Sequence, residues 1–200
     1  EEWGNNLISS WNKSWIKLPR MISQKLASII KSKKDEVYVG SSTSINLFKL
    51  IKSILQSNKS IKNISTDNLN FPSDKYICEL IAKDFNIDFN FLDYGSDLMA
   101  DIEQLKEFIK EKRGIIVLSH VAFKSSYRYP IKEISKFCKD NNTIVIWDLS
   151  HSIGAVDINM GLNQVDYAIG CTYKYLNGGP GSPAFIYVRE QELRKLKSPI

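Results

Sequence analysis

Two runs, Gly114 to Ser119 (Gly-Ile-Ile-Val-Leu-Ser) and Thr143 to Asp148 (Thr-Ile-Val-Ile-Trp-Asp), are apolar at every interior position and rich in β-branched side chains. A strand with one wet face alternates apolar and polar residues, whereas a strand covered on both faces has no such need. Runs of this kind therefore demand helices above and below, as in a mostly parallel sheet. The rest of the chain agrees. Further strands are predicted near Glu36 to Val39, Lys62 to Thr66, Ile87 to Leu92, Asp166 to Gly170 and Ala184 to Val188. Helices are predicted from Gly40-Ser41-Ser42-Thr43-Ser44 to about Gln56, then Ser73 to Phe85, Asp101 to Lys112, and Pro130 to Asn141 with the proline in its first turn. In the first of these helices Ile45, Leu47, Phe48, Ile51, Ile54 and Leu55 are expected to face inward. The first thirty-odd residues read as a lead-in with Trp3, Trp11 and Trp15, then an amphipathic helix with a Met21, Ile22, Leu26, Ile29, Ile30 stripe. The expected architecture is a three-layer αβα domain with a mostly parallel, mixed sheet over residues 36–200, preceded by a lead-in segment over 1–35. The chain begins Glu1-Glu2-Trp3 and stops at Ser198-Pro199-Ile200 after a charged segment, so it reads as a piece of a longer protein.

Ligands of such sheets gather at the carboxyl ends of the strands. The polar residues follow that rule: Ser41 to Ser44 after the first strand, Asp67 to Asp74 after the second, Ser119 and His120 after the fourth, Asp148 to His151 after the fifth, Tyr173 and Lys174 after the sixth. Lys174 lies between a phenol and a run containing Gly178, Gly179 and Gly181, whose glycines permit close backbone approach to a ligand. An amine there can carry a carbonyl cofactor covalently, and Asp148, ending an apolar strand, can hold a protonated ring nitrogen. That is the residue set of a pyridoxal phosphate (PLP) enzyme. Thr43 and Ser44, where a strand turns into a helix, are either plain caps or part of a phosphate site. Phe71, Pro72, Ser73 and Asp74 carry the same ambiguity: the serine can cap a helix, while the ring can stack on a planar group and the carboxyl can reach its polar edge. His151 can touch ring or phosphate; Ser119 alone says little.

Other classes fit less well. The net charge of +5 is spread over amphipathic segments rather than gathered in one arm, which speaks to solvated helix faces and not to nucleic acid. Cys78, Cys138 and Cys171 are odd in number and set among apolar residues, so they read as buried free thiols in a reducing, cytoplasmic compartment. No pair has metal-ligand spacing, and no run is long enough to span a bilayer. The glycine-rich loop lacks the Gly-Lys-Ser/Thr ending of a phosphate-binding P-loop, and no Gly-x-Ser-x-Gly elbow is present.

Several blocks together resemble the kynureninase family, fold-type I PLP enzymes of the aminotransferase class V group. They are Ser42 to Lys49, Phe71-Pro72-Ser73-Asp74, Leu118 to Val121, Trp147-Asp148-Leu149-Ser150-His151 through Ala155, Val165 to Ala168, and Tyr173 to Phe185. The resemblance implies an aspartate aminotransferase-like large domain, with a smaller C-terminal domain lying beyond residue 200. It implies that Lys174 anchors PLP and moves protons at the substrate α-carbon, and that Asp148 pairs with the ring nitrogen while Phe71 stacks on the ring. Thr43, Ser44, His151 and Tyr173 would surround the phosphate, with Tyr173 also a proton donor. Ser119 and Asp74 would contact the polar periphery of the ring. The implied reaction is hydrolysis of L-kynurenine, or its 3-hydroxy form, to anthranilate (3-hydroxyanthranilate) and L-alanine in tryptophan catabolism and NAD biosynthesis, by a homodimer. The loop after Phe123 departs from the family, reading Lys124-Ser125-Ser126-Tyr127 where a glycine is expected. A cysteine desulfurase-like class V enzyme is the alternative, and a non-enzymatic basic binding module a remote one.

Overall fold

In a computed structural model, residues 1–96 and 98–198 are described; Pro199 and Ile200, the end of the expected large domain, lie outside them. The helices are α1 (Glu2–Asn6), α2 (Ser10–Lys13), α3 (Leu18–Ile29), α4 (Thr43–Ser57), α5 (Pro72–Phe85), α6 (Ile102–Glu111), α7 (Ile131–Asp140) and α8 (Glu190–Leu193). The strands are β1 (Val37–Val39), β2 (Asn63–Asp67), β3 (Asp88–Leu92), β4 (Ile115–Ser119), β5 (Ile144–Asp148), β6 (Tyr167–Gly170) and β7 (Phe185–Val188). They form one sheet in the order β1-β7-β6-β5-β4-β2-β3. Only β7 runs against its neighbours, so β1 through β6 all end at the same edge.

The apolar runs behave as two-faced strands. Ile116 and Leu118 of β4, with Val145 and Trp147 of β5, enter a core shared with Leu26 of α3, Ile30 at its C-terminal cap, Leu105 of α6 and Ile134 of α7. Their sequence neighbours Ile115, Val117 and Ile146 enter a second core with Leu47, Ile51 and Ile54 of α4 and Ile81 of α5. Each fully buried aliphatic side chain contributes about 1.5–3 kcal/mol, and the period of two divides that gain between two helical layers. Trp147 is fully buried, and its indole N–H donates to Ser135 Oγ at 2.9 Å, so the largest core side chain leaves no donor unpaired.

The helix caps differ from those weighed in the sequence: Thr43, Ser44 and Ser73 lie inside their helices, and α5 begins without a side-chain cap. Ser42 caps α4 by accepting from the Ile45 amide, and Asp101 caps α6 by accepting from the Glu103 and Gln104 amides. Asn86 ends α5 in the left-handed conformation.

Some expectations are corrected. Pro130 sits at the cap position of α7, one residue before its first turn. Ile45 is 49% exposed, because the first turn of α4 opens onto the sheet edge rather than a core; Leu50 is buried instead. Of the stripe on and just after α3, Leu26 and Ile30 are buried, whereas Met21, Ile22 and Ile29 are exposed, as are Leu7, Ile8 and Trp11. In the loop that departs from the family pattern, Ser126 has φ +60°, the backbone region a glycine enters without strain. Cys78, Cys138 and Cys171 are buried free thiols. Among the described residues no helix is long and apolar enough to cross a membrane.

Candidate active site

At the edge where β1 through β6 end, a cleft of about 550 Å³ is lined by the start of α4 (Ser41, Ser42, Thr43, Ser44, Ile45), the start of α5 (Phe71, Ser73, Asp74), Asp148 and Ser150 after β5, and Tyr173, Lys174, Gly181, Ser182 and Ala184 around β7. A cavity of about 590 Å³ at the opposite edge also has lysines, two carboxyls and a ring (Lys139, Lys195, Asp166, Glu192, Tyr167), but it lies where the strands begin, away from the carboxyl edge at which ligands of such sheets gather.

Lys174 is the centre of the cleft. Its Nζ donates to His151 Nε2 at 2.8 Å and lies 5.2 Å from the centroid of the Phe71 ring. An ammonium has only donors, so Nε2 accepts and the imidazole proton sits on Nδ1. Burial, then the Lys174 charge, hold His151 below the usual imidazole range. Phe71 packs edge-on against Phe123 at 5.2 Å and keeps 37% of its surface exposed, which leaves its ring available to a planar ligand.

Asp148 is buried, and its Oδ1 accepts the Ser150 amide at 2.8 Å. Asp74 is buried too, and its pKa is raised well above the ordinary value, first by burial and next by the negative charge of Asp148. Tyr173 is 47% exposed; partial burial and the neighbouring Cys171 raise its phenol and keep it protonated.

Thr43, Ser44, Phe71, Ser73, Asp74, Asp148, Tyr173 and Lys174 thus line one cleft, with His151 on the lysine and Pro72 at the first turn of α5. Ser119 is placed differently. It is paired in register with Asp148, but its hydroxyl donates to Asn70 Oδ1 at 2.6 Å and it does not line the cleft.

Asn70 escaped the sequence reading although it organises this corner. Its Nδ2 donates to Thr66 Oγ1 and the Val117 carbonyl, and its Oδ1 accepts from Ser119 Oγ and the Phe71 amide. All four of its hydrogen-bonding positions are filled, which ties Phe71 to β2 and β4. Gly154 was also missed. At φ +86°, a Cβ there would stand 2.6 Å from the Tyr175 carbonyl, so the turn after β5 must be bare for the lysine loop to rest on it.

The donor set fits PLP. Two buried polar atoms at the cleft, Asp74 Oδ2 and His151 Nδ1, have no partner among the described residues, which is the condition of groups shaped for a ligand. The free amides opening α4 with the Thr43 and Ser44 hydroxyls suit a phosphate. Asp148 suits a protonated ring nitrogen, Phe71 a ring face, and Lys174 a carbonyl carbon.

Comparison with known proteins follows the same direction. The chain is 40% identical over 196 residues to the kynureninase of Pseudomonas fluorescens, covering 96% of this chain and 46% of that protein. It is 37% identical over 205 residues to a kynureninase of Burkholderia mallei, covering 100% of this chain and 48% of that protein. It therefore spans about half the length of the curated relatives it matches. Among solved structures, a cystine C–S lyase in complex with cysteine persulfide superposes with a TM-score of 0.81 at 19% identity, over 93% of this chain and 50% of that one, a likeness of fold. The family description "Aminotransferase class-V" matches residues 4–200. The sheet, the cleft at its carboxyl edge and that match together place the chain in the aminotransferase class V family.

Proposed function

We propose that the protein containing this chain is a kynureninase, hydrolysing the Cβ–Cγ bond of L-kynurenine or 3-hydroxykynurenine to release the aromatic acid and L-alanine. The observation that carries this reading is the convergence of one lysine amine, two buried carboxyls, an open aromatic face and a hydroxyl-lined helix start on a single cleft. The identity of 37–40% with kynureninases favours that reaction over desulfuration.

When bound, PLP supplies an electron sink for negative charge developing on the substrate. The chain's residues do the rest. Lys174 carries the cofactor and moves a proton at the substrate α-carbon, and the neutral His151 at 2.8 Å gives its ammonium a place to leave a proton. Asp148, oriented by the Ser150 amide, keeps the ring nitrogen protonated. Thr43 and Ser44 hold the phosphate with the α4 amides. Phe71 covers one ring face, Tyr173 offers its phenol proton, and Asp74, which holds its proton more tightly than an ordinary carboxyl, meets the ring periphery. Ser119 acts on the same corner through Asn70.

On this reading residues 36–200 are the cofactor-holding large domain, 1–35 a lead-in, and a smaller domain completes the substrate grip. The protein works as a cytoplasmic homodimer. The exposed apolar set Leu7, Ile8, Trp11, Ile16, Met21 and Ile22 supports a partner surface, and three buried free thiols suit a reducing compartment.

The test is incubation of the full-length protein with PLP and L-kynurenine. Equimolar anthranilate and alanine are expected. No anthranilate, with sulfide released from cysteine, would replace this reading by a desulfurase.

Asp74 gives a second check. Its folded pKa exceeds the ordinary value of 3.8, so the folded chain holds this proton more tightly than the unfolded chain. The resulting stabilisation is present below pH 3.8 and declines as pH rises through the folded value. Asp74→Asn is therefore expected to stabilise the cofactor-free protein at pH 7 and to do nothing at pH 3.5. Urea midpoints at the two pH values measure it; a lower midpoint at pH 7 would contradict it.

A further inference from the structure

The loop bearing Lys174 leaves β6 and returns at β7, and its two limbs are joined by one hydroxyl. Thr172 Oγ1 donates to the Pro183 carbonyl at 2.6 Å and lies 2.9 Å from Ser182 Oγ. Ser182 Oγ in turn donates to the Gly179 carbonyl at 2.9 Å, and the Gly178 amide donates to the Thr172 carbonyl at 2.9 Å. Gly178 threads this knot: a Cβ there would stand 2.7 Å from Ser182 Oγ and 2.9 Å from the Thr172 carbonyl. Thr172 itself is 9% exposed and does not line the cleft, so its hydroxyl touches no ligand.

We infer that Thr172 is a positioning residue for Lys174, its hydroxyl latching the return limb of the loop to the outgoing limb two residues before the lysine. The inference rests on the reading of Lys174 as the covalent anchor. A lysine side chain has many rotamers, so the reach of its amine is set by how firmly its backbone is held. Here the backbone is held from both sides, by the latch and by Gly154 beneath Tyr175. Attachment depends on the fraction of time the amine stands within reach of a carbonyl carbon. Loosening one side lowers that fraction while Thr43, Ser44, Phe71 and Asp148, which belong to other elements, stay in place.

Thr172→Val keeps the shape and removes the hydroxyl, while Thr172→Ser keeps the hydroxyl. In cofactor-free full-length protein mixed with PLP, stopped-flow absorbance follows attachment to the lysine. Thr172→Val is expected to slow attachment about fivefold, the worth of one hydrogen bond, and Thr172→Ser to restore at least half the wild-type rate. In a Lys174→Ala background, adding Thr172→Val is expected to leave non-covalent PLP affinity unchanged. Attachment at the wild-type rate in Thr172→Val would overturn the inference. So would an equally slow Thr172→Ser, or an equal loss of affinity in the Lys174→Ala background, which would make the hydroxyl a shaper of the cleft. If Thr172→Val does not fold, Thr172→Ala must slow attachment in the same direction, and a wild-type rate there overturns the latch. Failure of the underlying reading looks different: wild-type protein would itself attach no PLP.

Discussion

Lys174→Ala in the full-length protein is expected to lose at least about a thousandfold in kcat, or about 4 kcal/mol of transition-state stabilisation, while PLP still binds. The amine has two tasks on the proposed reading, holding the cofactor and moving a proton, and no second amine is among the residues lining the cleft. Alanine leaves Phe71, Asp148, Thr43 and Ser44 where they are, so binding weakens but is not abolished. His151 loses its 2.8 Å partner and with it a neighbouring positive charge. Its imidazole should therefore titrate closer to the ordinary value, since the Lys174 charge helps to depress it. Steady-state kinetics measure the first effect and NMR titration of the imidazole the second. Turnover within tenfold of wild type would remove Lys174 from the reaction.

Asp148→Asn should cost about 10²–10³ in kcat, the scale seen when one preorganised charge-stabilising group is removed. The change is isosteric and still accepts the Ser150 amide, so the turn after β5 should survive. What disappears is the negative charge that would keep the ring nitrogen protonated. Because that charge also raises Asp74, Asp74 should ionise at lower pH in the variant. A kcat loss with the thermal midpoint unchanged or raised is expected from kinetics paired with calorimetry. Equal losses in activity and stability would instead make Asp148 a structural acid.

The sheet was legible in the sequence because burial on both faces of β4 and β5 leaves runs with no polar interruption, and all seven strands lie within a residue or two of their predicted places. The chemistry of the cleft was legible for a related reason: residues following parallel strands are delivered to one edge. Coverage of helices was less legible. Periodicity on α3 and α4 marks an apolar stripe, but nothing local says that Met21, Ile22, Ile29 and Ile45 would find no core to enter. Supporting polar residues were the least legible. Asn70 and Thr172 read as ordinary loop residues, since the groups that give them meaning come from other strands or the far limb of the loop. Ser119 sits at the right height on the sheet, and only the position of Asn70 decides where its hydroxyl goes.

The register of β5 against β4 has one more consequence. Trp147 opposite Leu118 and Asp148 opposite Ser119 belong to the same alternation, so a slip of one residue would expel the tryptophan from its core and turn the carboxylate away from the cleft in a single move. A mispaired sheet and a site unable to take up cofactor are then the same molecule. On the proposed reading of Asp148, cofactor uptake after refolding would therefore require the central strands to have found their proper neighbours.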